Sequence, residues 1–270
     1  MQPLPTIVSF WHGPLGYLER LCLASFVAHG HVVELYAYEQ PYNLPSGVTF
    51  KDANEIIGKE RIFFYKGDRT PAVFADLFRI ELLQQDRGIW VDCDVFCVRP
   101  FNQTLDYLFG FDSDPSWRNV WTAQINNAVL GMPADSQLVG AMRAIFEPGA
   151  IPPGLPFWRR AEVAVRRAVG EDLPIHHMQF GATGPSPLGY FVRKLGLIDK
   201  VQPKDVLYPL AYDDAANLLE KGSDIEGLIT ERTLSVHIWN SALTGRHSKS
   251  RREPEPGSFI DRQLRLFELI

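Results

Sequence analysis

Over residues 6–98 the apolar residues of the chain alternate between compact β-branched runs and helical spacing, and that alternation constrains the fold to the α/β class. The run TIVSFW at residues 6–11 predicts a strand. His12-Gly13-Pro14 breaks it, and the spacing over residues 15–27 predicts a helix. A turn at Gly30 leads to a second strand over 32–38, and a Pro- and Asn-rich loop, 40–47, leads to a short third one at 48–50. Thr70-Pro71 predicts the start of a helix, with the threonine as cap and the proline in the first turn. Ala75, Phe78, Leu82 and Leu83 mark its apolar face and Gly88 its stop. Ile89-Trp90-Val91 then begin a strand whose end carries Asp92-Cys93-Asp94, before the apolar run 95–98.

The second half of the chain predicts strands near 108–111, 120–123 and 127–131, then a helix from 135 to about 146. A Pro- and Gly-rich stretch at 147–156 reads as a long loop. Helical patterns follow at 158–169 and 188–195, and 235–239 reads as a last strand. No internal repeat is visible. Together these elements predict one α/β domain over residues 1–270.

An apolar fraction of 46% supplies a substantial core, while a net charge of −5 leaves no global positive field for a polyphosphate backbone. Nucleic acid is therefore not an expected partner. Cys22, Cys93 and Cys97 are odd in number and include no C-x-x-C pair, which excludes a zinc ribbon and suits a reducing cytoplasm. The opening Met1-Gln2-Pro3-Leu4-Pro5 lacks the features of a signal peptide, and no run approaches the roughly 20 apolar residues of a spanning helix. The expected location is cytoplasmic, with peripheral attachment to a membrane surface left open.

The chemistry concentrates between residues 76 and 94. Asp76 and Arg79 lie three apart on one helix and so share a face, which can look onto the strand end carrying Asp92 and Asp94. In a strand those two aspartates project to the same side, and unpaired they repel by several kcal/mol at low dielectric. A divalent cation relieves this. Mn²⁺ or Mg²⁺ favours oxygen ligands, and Mg²⁺ is commonly held by one or two carboxylates plus substrate phosphates, which suits a nucleotide diphosphate. The plain alternative is a solvated acidic turn, which the apolar sequence on both sides disfavours.

The order and spacing of Ala75-Asp76, Arg79, Leu82-Leu83, Gly88, Trp90 and Asp92-Cys93-Asp94 resemble the signature of D-x-D glycosyltransferases of the GT-A fold. The likeness is to the family 32 sugar transferases and the catalytic domains of clostridial glucosylating toxins, and it implies a single GT-A-type domain, a Rossmann-like mixed sheet flanked by helices. It is specific over residues 74–100 and patchy elsewhere. It departs at Gln85-Asp86-Arg87-Gly88, where a Gly-Gly pair is common, although one glycine suffices for the turn.

The resemblance implies further roles. Ser9-Phe10-Trp11-His12-Gly13 is similar to the family's first strand and nucleotide-base turn, so Trp11 is expected to stack on uracil; the plain alternative is a core tryptophan. Asn126-Asn127-Ala128 echoes a segment whose amides bind sugar hydroxyls without adding charge, or else a simple turn before a strand. Thr183-Gly184-Pro185 resembles a T-G-P helix start whose free N–H groups can face an anion, or a plain cap. Ser235-Val236-His237-Ile238-Trp239-Asn240 resembles a closing strand in which His237 completes the metal shell of Asp92 and Asp94, with Trp239 beside the donor. A histidine in a strand is otherwise a satisfied core residue. Cys93 is expected to be core.

The expected reaction is therefore metal-dependent hexosyl transfer from a nucleotide-sugar to an acceptor hydroxyl. The metal offsets the leaving diphosphate, and Asp76 and Arg79 hold donor hydroxyls. A UDP-sugar is the expected donor, with GDP-mannose a weaker option. The acceptor, whether glycan, lipid-linked or protein, is not encoded. The resemblance implies retention of configuration; an inverting enzyme would draw its base from Asp112 or Asp114. The alternatives are an aspartate-nucleophile phosphatase, whose downstream Gly-Asp motif is missing, and a non-catalytic sugar-nucleotide-binding module. The basic run 245–252, within a loop 245–257, reads as a mobile lid over the diphosphate, a patch for anionic lipid or a solvated loop. The short segment 258–270 is amphipathic and is expected to dock on the domain.

Overall fold

A computed structural model describes residues 3–64, 70–101, 106–114, 124–171, 175, 181–244 and 251–270. The predicted strand at 120–123 lies outside these residues. The chain begins with β1 (Ile7–Phe10), α1 (Tyr17–Ala28), β2 (Val33–Ala37) and β3 (Val48–Asp52), followed by α2 (Ala72–Gln84), β4 (Ile89–Val91) and β5 (Val95–Cys97). Next come β6 (Leu108–Phe111), β7 (Ile125–Gly131), α3 (Gln137–Ala144), α4 (Phe157–Ala168), α5 (Pro185–Lys194) and α6 (Lys204–Leu207). The last elements are β8 (Ser235–His237), α7 (Asn240–Leu243) and α8 (Phe259–Leu266).

Six strands form one sheet in the order β3-β2-β1-β4-β7-β6. The first four run parallel, and β7 pairs antiparallel with both β4 and β6. This is the mixed α/β sheet with flanking helices expected of the GT-A type. The central strands are buried on both faces, so β1 and β4 run mainly apolar without alternating, while β7 buries Asn126 and Asn127 at its start. Alternation survives instead in where each side chain goes. Val8, Tyr36, Trp90 and Leu130 join one core with α2, α3 and α5, while Ile7, Leu35, Val91 and Val129 join another beneath α1. Each fully buried leucine or phenylalanine in these layers contributes about 1.5–3 kcal/mol.

Four local expectations are corrected. Thr70 is not the cap of α2: Pro71 occupies that position and makes no side-chain cap bond. The helix also ends before Gly88, through Asp86, whose φ of 53° supplies the left-handed step. Gly88 has a different task. Its φ is +140°, and a Cβ there would stand 2.3 Å from the Thr6 carbonyl oxygen, which accepts from the Ile89 N–H at 2.9 Å. Glycine lets β4 pack directly beside β1.

The third correction concerns residues 92–94, which form a turn and not a continued strand. The Asp92 N–H makes the last ladder bond, to Ala128 O at 2.7 Å, and the Asp92 carbonyl then accepts from the Val95 N–H at 3.0 Å. That turn carries β5 out of the main sheet to pair antiparallel with β8, with Val95 opposite His237. The last strand is likewise shorter than expected, since Trp239 takes φ 55° and ends it. In α8, Phe259, Ile260 and Leu264 pack onto Leu18, Leu21 and Cys22 of α1. Among the described residues, no helix is long and apolar enough to cross a membrane.

Candidate active site

The C-terminal end of β4 sets the site. Trp90 and Asp92 lie two apart and so share a side of the chain, and the Trp90 Nε1–H donates to Asp92 Oδ1 at 2.7 Å. Helix α2 crosses this end and delivers Arg79, whose guanidinium lies 4.8 Å over the Trp90 ring. Its Nη2 stands 3.2 Å from Asp92 Oδ1 and 3.3 Å from Asp76 Oδ1, and its Nη1 donates to Asn127 O at 2.5 Å. Arg79 is 6% exposed, so this pairing replaces the water the cation gives up.

Asp76 is held from three directions. Oδ1 accepts from Asn127 Nδ2 at 2.9 Å on β7, and Oδ2 accepts from Thr183 Oγ1 at 2.6 Å, just before α5. Arg79 is the third partner. A carboxylate offers about four lone-pair sites, so Asp76 retains acceptor capacity towards the cavity. Gly184, the cap of α5, keeps the approach open: a Cβ there would fall 2.5 Å from Asn127 Nδ2 and 2.9 Å from Asp76 Oδ1.

Asp94 sits at the other end of the turn. Its Oδ1 lies 3.2 Å from His237 Nε2, and its Oδ2 accepts from the Asn240 N–H at 2.8 Å. His237 is placed by its β8 register, and its ring lies on Trp239 with centroids 4.0 Å apart. Burial pushes the Asp92 carboxyl up to about 6, with Arg79 opposing and the Asp94 charge reinforcing the rise. Burial also works against ionised Asp94, but His237 and the Asn240 N–H outweigh it and hold its carboxyl below the ordinary value. Burial opposes the imidazolium of His237, and Asp94 outweighs that in turn, raising its pKa.

The two carboxylates are thus not the unpaired couple read from the sequence, because Arg79 faces one and His237 the other. Donor atoms of Asp92, Asp94 and His237 all lie within 4.8 Å of one another. His237 Nδ1 is buried without a hydrogen-bond partner among the described residues. Two carboxylates and one imidazole fit a hard or borderline divalent cation, and the nitrogen favours Mn²⁺ over Mg²⁺.

A cavity of about 520 Å³ opens over this cluster. Its walls bring together the nine residues singled out in the sequence: Trp11, Asp76, Arg79, Asp92, Asp94, Asn126, Asn127, His237 and Trp239. A second cavity, of about 500 Å³, shares Trp11 and His12 with it and continues along Tyr38, Glu39, Tyr42 and Lys59. Trp11 stands at the junction, its Nε1 donating to Pro14 O at 3.0 Å. Asp112 and Asp114 do not line the main cavity, and the Asp112 carboxylate meets Asn126 Nδ2 at 3.4 Å.

Several of the nine are engaged with protein. The Asn127 amide serves Asp76, Asn126 Oδ1 accepts from the Ala128 N–H at 2.8 Å, and Trp239 Nε1 donates to Leu210 O at 3.1 Å. Sequence reasoning did not assign Trp90 to Asp92, Thr183 to Asp76 or Asn240 to Asp94. Only the first had a local signal, the two-residue spacing. Glu19, buried in α1, was also missed: Arg251 binds both of its oxygens and reaches Asn240 Oδ1 through Nε at 2.9 Å. Arg251 of the basic run is therefore committed to the protein interior, while residues 245–250 of that run lie outside the described residues.

Residues 57–147 match the family described as capsular polysaccharide synthesis protein. Subversion of eukaryotic traffic protein A of Legionella pneumophila is 22% identical over 165 residues, which is 60% of this chain. The match spans about a quarter of that protein's length (25%). Among solved structures, a chain titled PaToxG Glycosyltransferase superposes with a TM-score of 0.43 at 13% identity, over 74% of each chain. The family match covers α2, the turn bearing Asp92 and Asp94, and β7 with its two asparagines, which form part of the cavity wall; Trp11, Thr183, His237 and Trp239 lie outside it.

Proposed function

We propose that this chain is a glycosyltransferase that moves a hexosyl group from a nucleotide-sugar, of which a UDP-sugar fits best, to an acceptor hydroxyl. One observation carries the reading: Asp92, Asp94 and His237 converge at the wall of a cavity that also presents Asp76 and Trp11. The match of residues 57–147 to capsular polysaccharide synthesis proteins supports the same chemistry. A location in the cytoplasm is part of the proposal.

Asp92, Asp94 and His237 are the residues that would hold Mn²⁺ or Mg²⁺. When bound, the ion offsets the charge of the departing diphosphate, as an acid does in glycosidases. The chain's own residues do the rest. Trp11, at the junction of the two cavities, offers its ring to the base. Asp76 turns its remaining acceptor capacity to a donor hydroxyl, and Arg79, Asn127 and Thr183 lock that carboxylate in one orientation before the substrate arrives. Trp90 and Arg79 fix Asp92 in the same way. Neither Asp112 nor Asp114 lines the cavity, so no carboxylate of that pair stands ready as an inverting base. Same-face attack with retention is the outcome we favour.

Calorimetric titration of UDP in Mn²⁺ and in chelator tests the reading. Metal-dependent binding that weakens at least about tenfold in Asp94→Asn supports it. Binding that ignores both metal and substitution contradicts it, as does hydrolysis of an aryl phosphate lost on replacing Asp92.

A further inference from the structure

Helix α4 is mounted inside out. At about 100° per residue, Phe157, Trp158, Ala161, Val165, Ala168 and Val169 occupy one contiguous sector of roughly 120°. That sector faces solvent: Phe157 is 83% exposed, Trp158 55%, Val165 64% and Val169 69%. The opposite side meets the protein. Val163 alone of the helix is buried, in a small cluster with Leu155 and Ala182. Around it Arg159 and Arg166 both pair with Glu162, at 2.5 and 3.3 Å, and Arg167 bonds the carbonyl of Ala150 at 3.1 Å. An ordinary surface helix turns these two faces the other way.

We propose that α4 is a docking helix for an anionic lipid surface, with Phe157 and Trp158 entering the headgroup boundary. Charge selects the partner. The helix carries four arginines against one glutamate on a chain whose net charge is −5, so it is a basic strip on an acidic molecule. Arg160, exposed on the flank of the apolar sector, has no ion-pair partner among the described residues. Size selects it too. A 12-residue helix is about 18 Å long and offers an apolar strip near 10 Å wide, or roughly 180 Å², far below the roughly 800 Å² per partner of a stable protein interface. An interfacial helix needs no such area, since aromatic insertion and attraction to anionic headgroups act together. The inference does not rest on the transferase reading.

The test is co-sedimentation of the 270-residue chain with vesicles of phosphatidylcholine, alone or with about one third phosphatidylglycerol. The expected result is binding to the anionic vesicles only. Phe157→Ser with Trp158→Ser should reduce it at least about tenfold, and Arg160→Glu by about threefold at low salt and less at high salt. These side chains are exposed, so melting temperature and far-ultraviolet dichroism should not change. Failure of the native chain to bind overturns the proposal, as does undiminished binding of the double variant. A dimer in gel filtration that the double variant dissociates, with no vesicle binding, overturns it in favour of self-association.

Discussion

Arg79 Nη2 lies 3.2 Å from Asp92 Oδ1, and this contact joins helix α2 to the turn that ends β4. Because the same nitrogen reaches Asp76 at 3.3 Å, one buried cation holds two carboxylates of the cavity wall. Removing it leaves both uncompensated. Arg79→Ala is expected to cost about 3–5 kcal/mol, or at least about 6 °C in melting temperature. Arg79→Lys keeps the charge but not the fork and should fall between Ala and native. Thermal unfolding of the three proteins checks this, and a loss under about 1 kcal/mol in Arg79→Ala contradicts the pairing.

Gly184 gives a test of geometry without loss of charge. An alanine Cβ at Gly184 would meet the side-chain ends Asn127 Nδ2 and Asp76 Oδ1. Gly184→Ala should displace Asp76, weaken donor binding about tenfold and move the melting temperature by less than about 3 °C. Equal donor affinity in the variant would show that Asp76 does not depend on this clearance.

Much of this arrangement was legible because it is local. The runs that became β1, β2 and β4 are mainly apolar, as buried parallel strands must be, and helical spacing placed α1, α2 and α5. The spacing of Asp76, Arg79, Asp92 and Asp94 located the cavity wall. What stayed hidden depends on distant partners. Nothing near residue 92 says that β5 leaves the sheet to meet β8, because the partner strand lies some 140 residues on. Glu19 reads as an exposed helix residue until Arg251 is brought against it. Periodicity shows that α4 has an apolar face and is silent on which way it turns.

His31 sets an acid limit to stability. Its Nε2 accepts from the Phe101 N–H at 2.9 Å, so Nδ1 carries the proton and donates to Pro5 O at 2.9 Å. Burial holds its pKa below the ordinary 6.5. The unfolded chain therefore takes up a proton first as pH falls. The neutral ring's contribution is complete above about 6.5 and is lost below it, by up to about 1.4 kcal/mol per pH unit, until the folded histidine also protonates. Denaturant unfolding between pH 7.5 and 5.5 should show a slope that His31→Gln flattens; equal slopes would contradict it.

Cys22, Cys93 and Cys97 are buried and unpaired, and burial raises all three thiols above their ordinary value. Thiolate is the reactive form. Iodoacetamide at neutral pH should leave the native chain unmodified and label all three cysteines after unfolding. Prompt labelling of Cys93 in the native chain would mean that the cavity floor opens.

The central claim is that Asp92, Asp94 and His237 serve the departure of a nucleotide diphosphate. Nucleotide release measures this directly, from a panel of UDP- and GDP-sugars with Mn²⁺, Mg²⁺ or chelator, comparing the native chain with Asp94→Asn. The account predicts release of one nucleotide, dependent on the metal and reduced at least about a hundredfold by the substitution. Release that is indifferent to chelator and unchanged in Asp94→Asn would contradict it.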